Sequence, residues 1–118
     1  MTGREKPRIL CVSRSAYQLR AMRSAFPAIE YQVISASTPE QAVAVCLNNQ
    51  ISAVVLDSEF CTEAGWSAAQ TLKMVNPQLP VMLLLKSAEG CVPCGVDAVV
   101  PSHFHILPRL KGLLEPQE

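Results

Sequence analysis

Short apolar runs alternate with amphipathic stretches along the chain, and that alternation sets the expected elements. Arg8 to Val12 (RILCV) reads as a buried strand. Ser15 to Phe26 carries Leu19, Met22 and Phe26 on one helical face, and Pro27 ends that helix. Tyr31 to Ala36 (YQVISA) reads as a second strand. Thr38-Pro39-Glu40-Gln41 is the clearest helix start: an N-cap threonine, proline at the first helical position and glutamine three after the cap. Ala42, Val45 and Cys46 form the inner face of this helix, and Asn48 and Asn49 suit its end. Ile51 to Leu56 (ISAVVL) is near-continuously apolar, as a central parallel strand covered on both faces requires. Glu63 to Val75 predicts a third helix with Trp66, Ala69 and Leu72 at helical spacing. Pro80 to Leu85 and Val96 to Val100 complete the strands, and Pro108 to Leu114 predicts a brief last helix weakened by Gly112.

The order β-α-β-α-β-α-β-connector-β-α implies a parallel sheet with helices on both faces. In such sheets ligands bind beyond the carboxyl ends of the strands, at the point where strand order reverses. Asp57 falls at that end of the third strand.

Composition narrows the function classes. The chain has 118 residues, 49% apolar, enough for one sizeable core. Ten Lys and Arg balance ten Asp and Glu, so no basic excess argues for nucleic acid or an anionic membrane. The Ile9 to Val12 run is too short for a signal-peptide core or a membrane span, so a cytoplasmic address is expected. Residues 1–7 read as a disordered polar tail and 8–115 as one domain. Five cysteines, an odd number, are expected as reduced thiols.

The stretch Leu56-Asp57-Ser58-Glu59-Phe60-Cys61-Thr62-Glu63-Ala64-Gly65 resembles the phospho-acceptor segment of response-regulator receiver domains, the CheY-like module of two-component signalling. That family places a phospho-accepting Asp after an apolar strand and a Gly eight residues later; Asp57 and Gly65 keep this spacing. Leu79-Pro80-Val81-Met82 is similar to the start of the family's fourth strand, and Gly95-Val96-Asp97 to the approach to its fifth. The resemblance runs from about Arg8 to Leu114. It implies a flavodoxin-like three-layer α/β/α sandwich with a five-stranded parallel sheet of order 2-1-3-4-5. The short span from Leu85 to Val96 implies a shortened fourth helix.

The departures fall on the chemistry. Where the family ends its first strand with two acidic magnesium ligands, this chain has Ser13 and Arg14. Phe60 and Cys61 replace the usual Met-Pro pair. Leu85 stands where the family has a phosphate-binding Ser or Thr, followed by Lys86 and Ser87. Ser102-His103 replaces Lys-Pro, with Phe104 matching the following Phe, and Val99 stands at the aromatic switch position. An attacking carboxylate faces an anionic phosphoryl donor, and catalysis of that step rests on cations that neutralise the transferring oxygens. With Asp57 and the Glu59 carbonyl as its expected protein ligands, magnesium is expected to bind weakly at best, and phosphotransfer to be slow or absent. A pair between Arg14 and Asp57 would put a fixed charge where the family has a removable ion.

These readings imply a degenerate, non-enzymatic receiver that works by contact with a histidine kinase or a downstream signalling protein, with a homodimer as a further possibility. No output segment is apparent, so any effect is expected to fall on a separate partner. The alternatives are a phospho-accepting receiver whose charge comes from Arg14 and Lys86, and a thiol or zinc module at Cys91 and Cys94 with His103 and His105. One C-x-x-C with an H-x-H is weak spacing evidence for the last.

Overall fold

Five parallel strands form one sheet in the computed structural model, which describes residues 6–57, 63–84 and 96–114 (for 63–68, His103 and Leu114 the backbone alone). The strands are β1 (Arg8–Val12), β2 (Gln32–Ala36), β3 (Ala53–Leu56), β4 (Val81–Leu84) and β5 (Ala98–Val100). Their order is β2-β1-β3-β4-β5, the predicted topology. All four pairings are parallel, with β1 in register against both neighbours: Cys11 faces Ser35 of β2 and Val55 of β3. The helices among the described residues are α1 (Ala16–Ser24), α2 (Pro39–Asn48), α3 (Glu63–Val75) and α4 (Ile106–Leu114). The expected shortened helix between β4 and β5 lies outside the described residues.

Two cores account for the layering. Ile9, Cys11, Val55, Met82 and Leu84 bury one sheet face against Met22 and Phe26 on the α1 side and Ile106 and Leu110 of α4. Leu10, Val12, Val54, Leu56 and Leu83 bury the other against Ala42 of α2 and Ala69 and Leu72 of α3. Successive residues of β1, β3 and β4 thus serve opposite faces, which is why these strands are apolar at every position after Arg8.

The helix starts follow the sequence closely. Thr38 caps α2 by accepting the Gln41 amide at 3.1 Å, with Pro39 at the first helical position. Asn48 and Asn49 turn their side-chain amides back onto the carbonyls of Ala44 and Val45, closing the other end. The last helix differs from expectation. It begins at Ile106 after a 3-10 turn over His103–His105, so Pro108 lies inside its first turn. The missing Pro N–H is harmless there, because the first four amides of a helix have no intrahelical acceptor. Lys6 and Pro7, expected in the tail, are tied to the fold: Gln32 N–H donates to the Pro7 carbonyl at 3.0 Å, and Lys6 Nζ to the Ala28 carbonyl at 3.0 Å.

Candidate functional site

The parallel sheet brings the ends of β2, β1 and β3 together. Ser13 N–H donates to the Ala36 carbonyl at 3.1 Å, and Asp57 N–H to the Val12 carbonyl at 3.0 Å. Ser13 and Asp57, distant in sequence, therefore leave adjacent strands side by side. They are the buried polar residues among those described, fully buried for Ser13 and 4% exposed for Asp57.

Burying a carboxylate requires hydrogen bonds to replace its water. Ser13 Oγ–H donates to Asp57 Oδ2 at 2.7 Å, within the short range of a charge-assisted bond. Gln18 Nε2–H donates to Oδ1 at 3.4 Å. Ser13 Oγ also accepts the Ser15 N–H at 3.0 Å, and Ser15 Oγ caps α1 by accepting the Gln18 N–H at 3.2 Å. The four residues thus form a closed circuit, from Asp57 to Ser13, to Ser15, to Gln18 and back to Asp57. It joins the end of β3 to the first turn of α1.

Of the expected pocket residues, the structure places Ser13 against Asp57. Arg14 follows on the way into α1 and is exposed. The ion pair among the described residues is Lys73 with Asp97 at 2.7 Å, at the opposite end of the sheet. Ser102 shares a hydrogen bond with His105 Nδ1 at 2.8 Å across the turn into α4. Glu59, Leu85, Lys86 and Ser87 lie outside the described residues, as do Cys91 and Cys94. Val99 is half-exposed on β5, and Phe104 is 80% exposed in the 3-10 turn before α4.

Gln18 was not singled out by the sequence reading, although a signal was present. Ser15-Ala16-Tyr17-Gln18 is an S-x-x-Q pattern, the mark of a helix start whose glutamine turns back to the cap.

A magnesium site does not fit the described residues. The ion takes hard oxygen donors, commonly with one or two carboxylates. The end of β1 offers a neutral hydroxyl, which leaves Asp57 as the carboxylate that the described residues present there. No group of three or more His, Cys, Asp or Glu that could hold a metal ion occurs among the described residues.

Both cysteines described are free thiols. Burial pushes Cys11 up from 9.0 to about 12, with the Arg23 charge pulling the other way. Burial also raises half-buried Cys46. No helix among the described residues is long and apolar enough to cross a membrane.

No protein-family model and no curated protein matches the sequence. Solved structures do match the fold. The chemotaxis response regulator CheY4 of Vibrio cholerae is 15% identical, with a TM-score of 0.78 over 93% of this chain and 100% of that one. The receiver domain of a sensor histidine kinase from Pseudomonas aeruginosa PAO1, with magnesium coordinated in its active-site cleft, is 17% identical, with a TM-score of 0.79 over 93% and 98%. The response regulator TrrA of Thermotoga maritima, in complex with Mg(2+)-BeF, is 19% identical, with a TM-score of 0.78 over 92% and 99%. At such identities the likeness is one of fold. The chain has the flavodoxin-like fold of response-regulator receiver domains.

Proposed function

We propose that this chain is an atypical receiver module of two-component signalling that acts through contact with a protein partner, a histidine kinase or a downstream signalling protein. In this reading Asp57 is a structural anchor. The observation that carries it is the circuit around the Asp57 carboxylate. A nucleophile needs a lone pair directed at its electrophile, and the attack on a phosphoryl group needs positive charge around the transferring oxygens. A serine hydroxyl and a glutamine amide, both tied to the cap of α1, donate to the Asp57 carboxylate. Phosphorylating either oxygen would place a dianion against a buried serine and weaken that oxygen as an acceptor.

The test is an amide NMR titration with magnesium and beryllofluoride, a phosphoryl mimic, on wild type and Asp57→Ala. The expected result is no Asp57-dependent shift at millimolar magnesium. Asp57-dependent shifts reaching β5 and α4 would overturn the anchor reading and establish a second one, in which Asp57 accepts phosphate from a kinase. That second reading is favoured by the position of Asp57, where sheets of this order bind ligands, and by exposed Arg14 next to Ser13. Arg14 and Lys86 would then supply the charge. It requires a radiolabel that is stable on wild type and absent from Asp57→Ala.

A further inference from the structure

The chain is neutral as a whole, but its charge is unevenly placed. Residues 6–29 hold Lys6, Arg8, Arg14, Arg20 and Arg23 and no acidic residue, while residues 30–118 carry the opposite excess. On α1 the solvent side is Ala16, Tyr17, Arg20, Arg23 and Ser24, all exposed. A solvated helix face ordinarily mixes both signs, and like charges three apart disfavour a helix. Among the described residues no side-chain hydrogen bond or ion pair engages the Arg20 or Arg23 guanidinium.

Both arginines border a depression between α1 and β2. One part, about 240 Å³, is lined by Ala16, Leu19, Arg20, Arg23 and Ser35. A second, about 270 Å³, shares Arg23 and is lined by Phe26, Tyr31 and Val33 among others. Val33 packs into the α1-side core and Ile34 into the opposite one, so Val33 and Ser35 are the β2 residues that face α1. The Arg23 charge acts on Cys11, which is the register partner of Ser35, consistent with a guanidinium leaning over this groove.

β2 is an edge strand. Exposed edges are normally guarded by lysine, proline or a bulge, because their unpaired backbone groups accept another strand. The β2 sequence QVISA has no charge and no proline. Its Gln32 side chain is occupied by the Arg8 guanidinium at 3.3 Å.

We infer that the α1–β2 groove is a docking site for an extended acidic segment of a partner protein, which adds a strand to β2 and sets carboxylates against Arg20 and Arg23. Backbone pairing would supply affinity, and alternate side chains specificity. Carboxylates match the guanidinium fork, and residues between them would meet Leu19 and Val33. Single-stranded nucleic acid fits less well. The aromatic rings that line the groove, Phe26 and Tyr31, are buried and packed edge-on against each other at 5.4 Å, so neither offers a face to a base. The site is separate from Asp57 and does not depend on its role.

The test is an NMR titration of the isotope-labelled chain with the capped hexapeptide E-V-E-V-E-T, its lysine analogue K-V-K-V-K-T and a short oligothymidylate. The expected result is saturable shifts over residues 31–36 and α1 for the acidic peptide alone, with new exchange protection of β2 amides. Arg20→Glu with Arg23→Glu should weaken binding roughly tenfold or more, and Arg20→Gln with Arg23→Gln should weaken it less while keeping the fold. Any of three results overturns the proposal: no saturable shift at millimolar peptide, binding unchanged in both double variants, or equal binding of the oligothymidylate.

Discussion

Helices α1 and α2 begin with the same sequence device and use it differently. Each has a hydroxyl N-cap with glutamine three residues on, Ser15 with Gln18 and Thr38 with Gln41. In α2 the glutamine turns back onto its own helix start, with Gln41 Oε1 accepting the Ser37 N–H at 2.8 Å. In α1 it is Ser13 Oγ that accepts the N–H of the cap residue Ser15, and the Gln18 side chain reaches Asp57. One start is closed on itself; the other is wired to a buried carboxylate on another strand. The end of β1 therefore controls two things at once, the cap of α1 and the state of Asp57.

The strongest way to break that wiring is Ser13→Asp. It sets a second carboxylate in the buried position that now holds a hydrogen bond of 2.7 Å to Asp57. Two carboxylates this close cannot both ionise without penalty, and the expected destabilisation at pH 7 is on the order of 3 kcal/mol. Thermal unfolding measures it. Millimolar magnesium should recover part of the loss in Ser13→Asp and leave the wild-type midpoint unmoved. A wild type that gains as much from magnesium as the variant would show that the pocket already holds the ion.

Removing one cap hydroxyl from each helix sharpens the comparison. Ser13→Ala leaves Asp57 buried without its shortest bond and the Ser15 N–H without its acceptor; the expected loss is about 2 kcal/mol. Thr38→Ala removes only an exposed cap bond, and about 1 kcal/mol is expected. Denaturant unfolding of the two variants should keep that order. Equal losses would mean that the Asp57 circuit adds nothing beyond capping.

The two thiols among the described residues make the same contrast in the alkaline range. Cys11 lies beneath α1, raised to about 12, whereas Cys46 is a half-buried residue of α2. A raised folded value means that the native state holds a proton which the unfolded chain gives up. Stability on this account is full below pH 9 and falls as pH rises toward 12. Integrating from 9.0 gives a loss of about 1.4 kcal/mol by pH 10 for Cys11. Cys11→Ala should flatten the alkaline limb of the stability curve, and Cys46→Ala should change it less.

Much of the fold was legible because parallel strands covered on both faces are apolar at every buried position, as ILCV of β1, AVVL and VMLL are. Thr38-Pro39 marked α2 for a local reason, since a cap and its helix are neighbours in sequence. The α4 boundary was misread because Pro108 looks like a first helical residue, whereas tertiary burial of Ile106 carries the helix further back. At the site, Asp57 was legible from its place after an apolar strand. Ser13 was legible from its place after the first strand, but its role as a double hydrogen-bond partner depends on the register of β1 against β3, which no spacing encodes. Gln18 was hidden for the same reason: its pattern predicts a local bond, and its partner comes from another strand.

The smallest expected effect discriminates most finely between the two helix starts. Gln18→Leu and Gln41→Leu each remove one side-chain amide from a helix's first turn. Both residues lie near the surface, and the Gln18 bond to Asp57 is long, so each should lower stability by about 0.5–1 kcal/mol. The difference lies in coupling. In a double-mutant cycle with Asp57→Ala, residues in one hydrogen-bond network give an interaction energy of about 0.5 kcal/mol or more, and unconnected ones add. Gln18→Leu should therefore be non-additive with Asp57→Ala, because the second change removes a bond the first has already lost. Gln41→Leu should be additive. If both cycles close at zero, Gln18 only faces Asp57 without holding it, and Ser13 alone ties the carboxylate to α1.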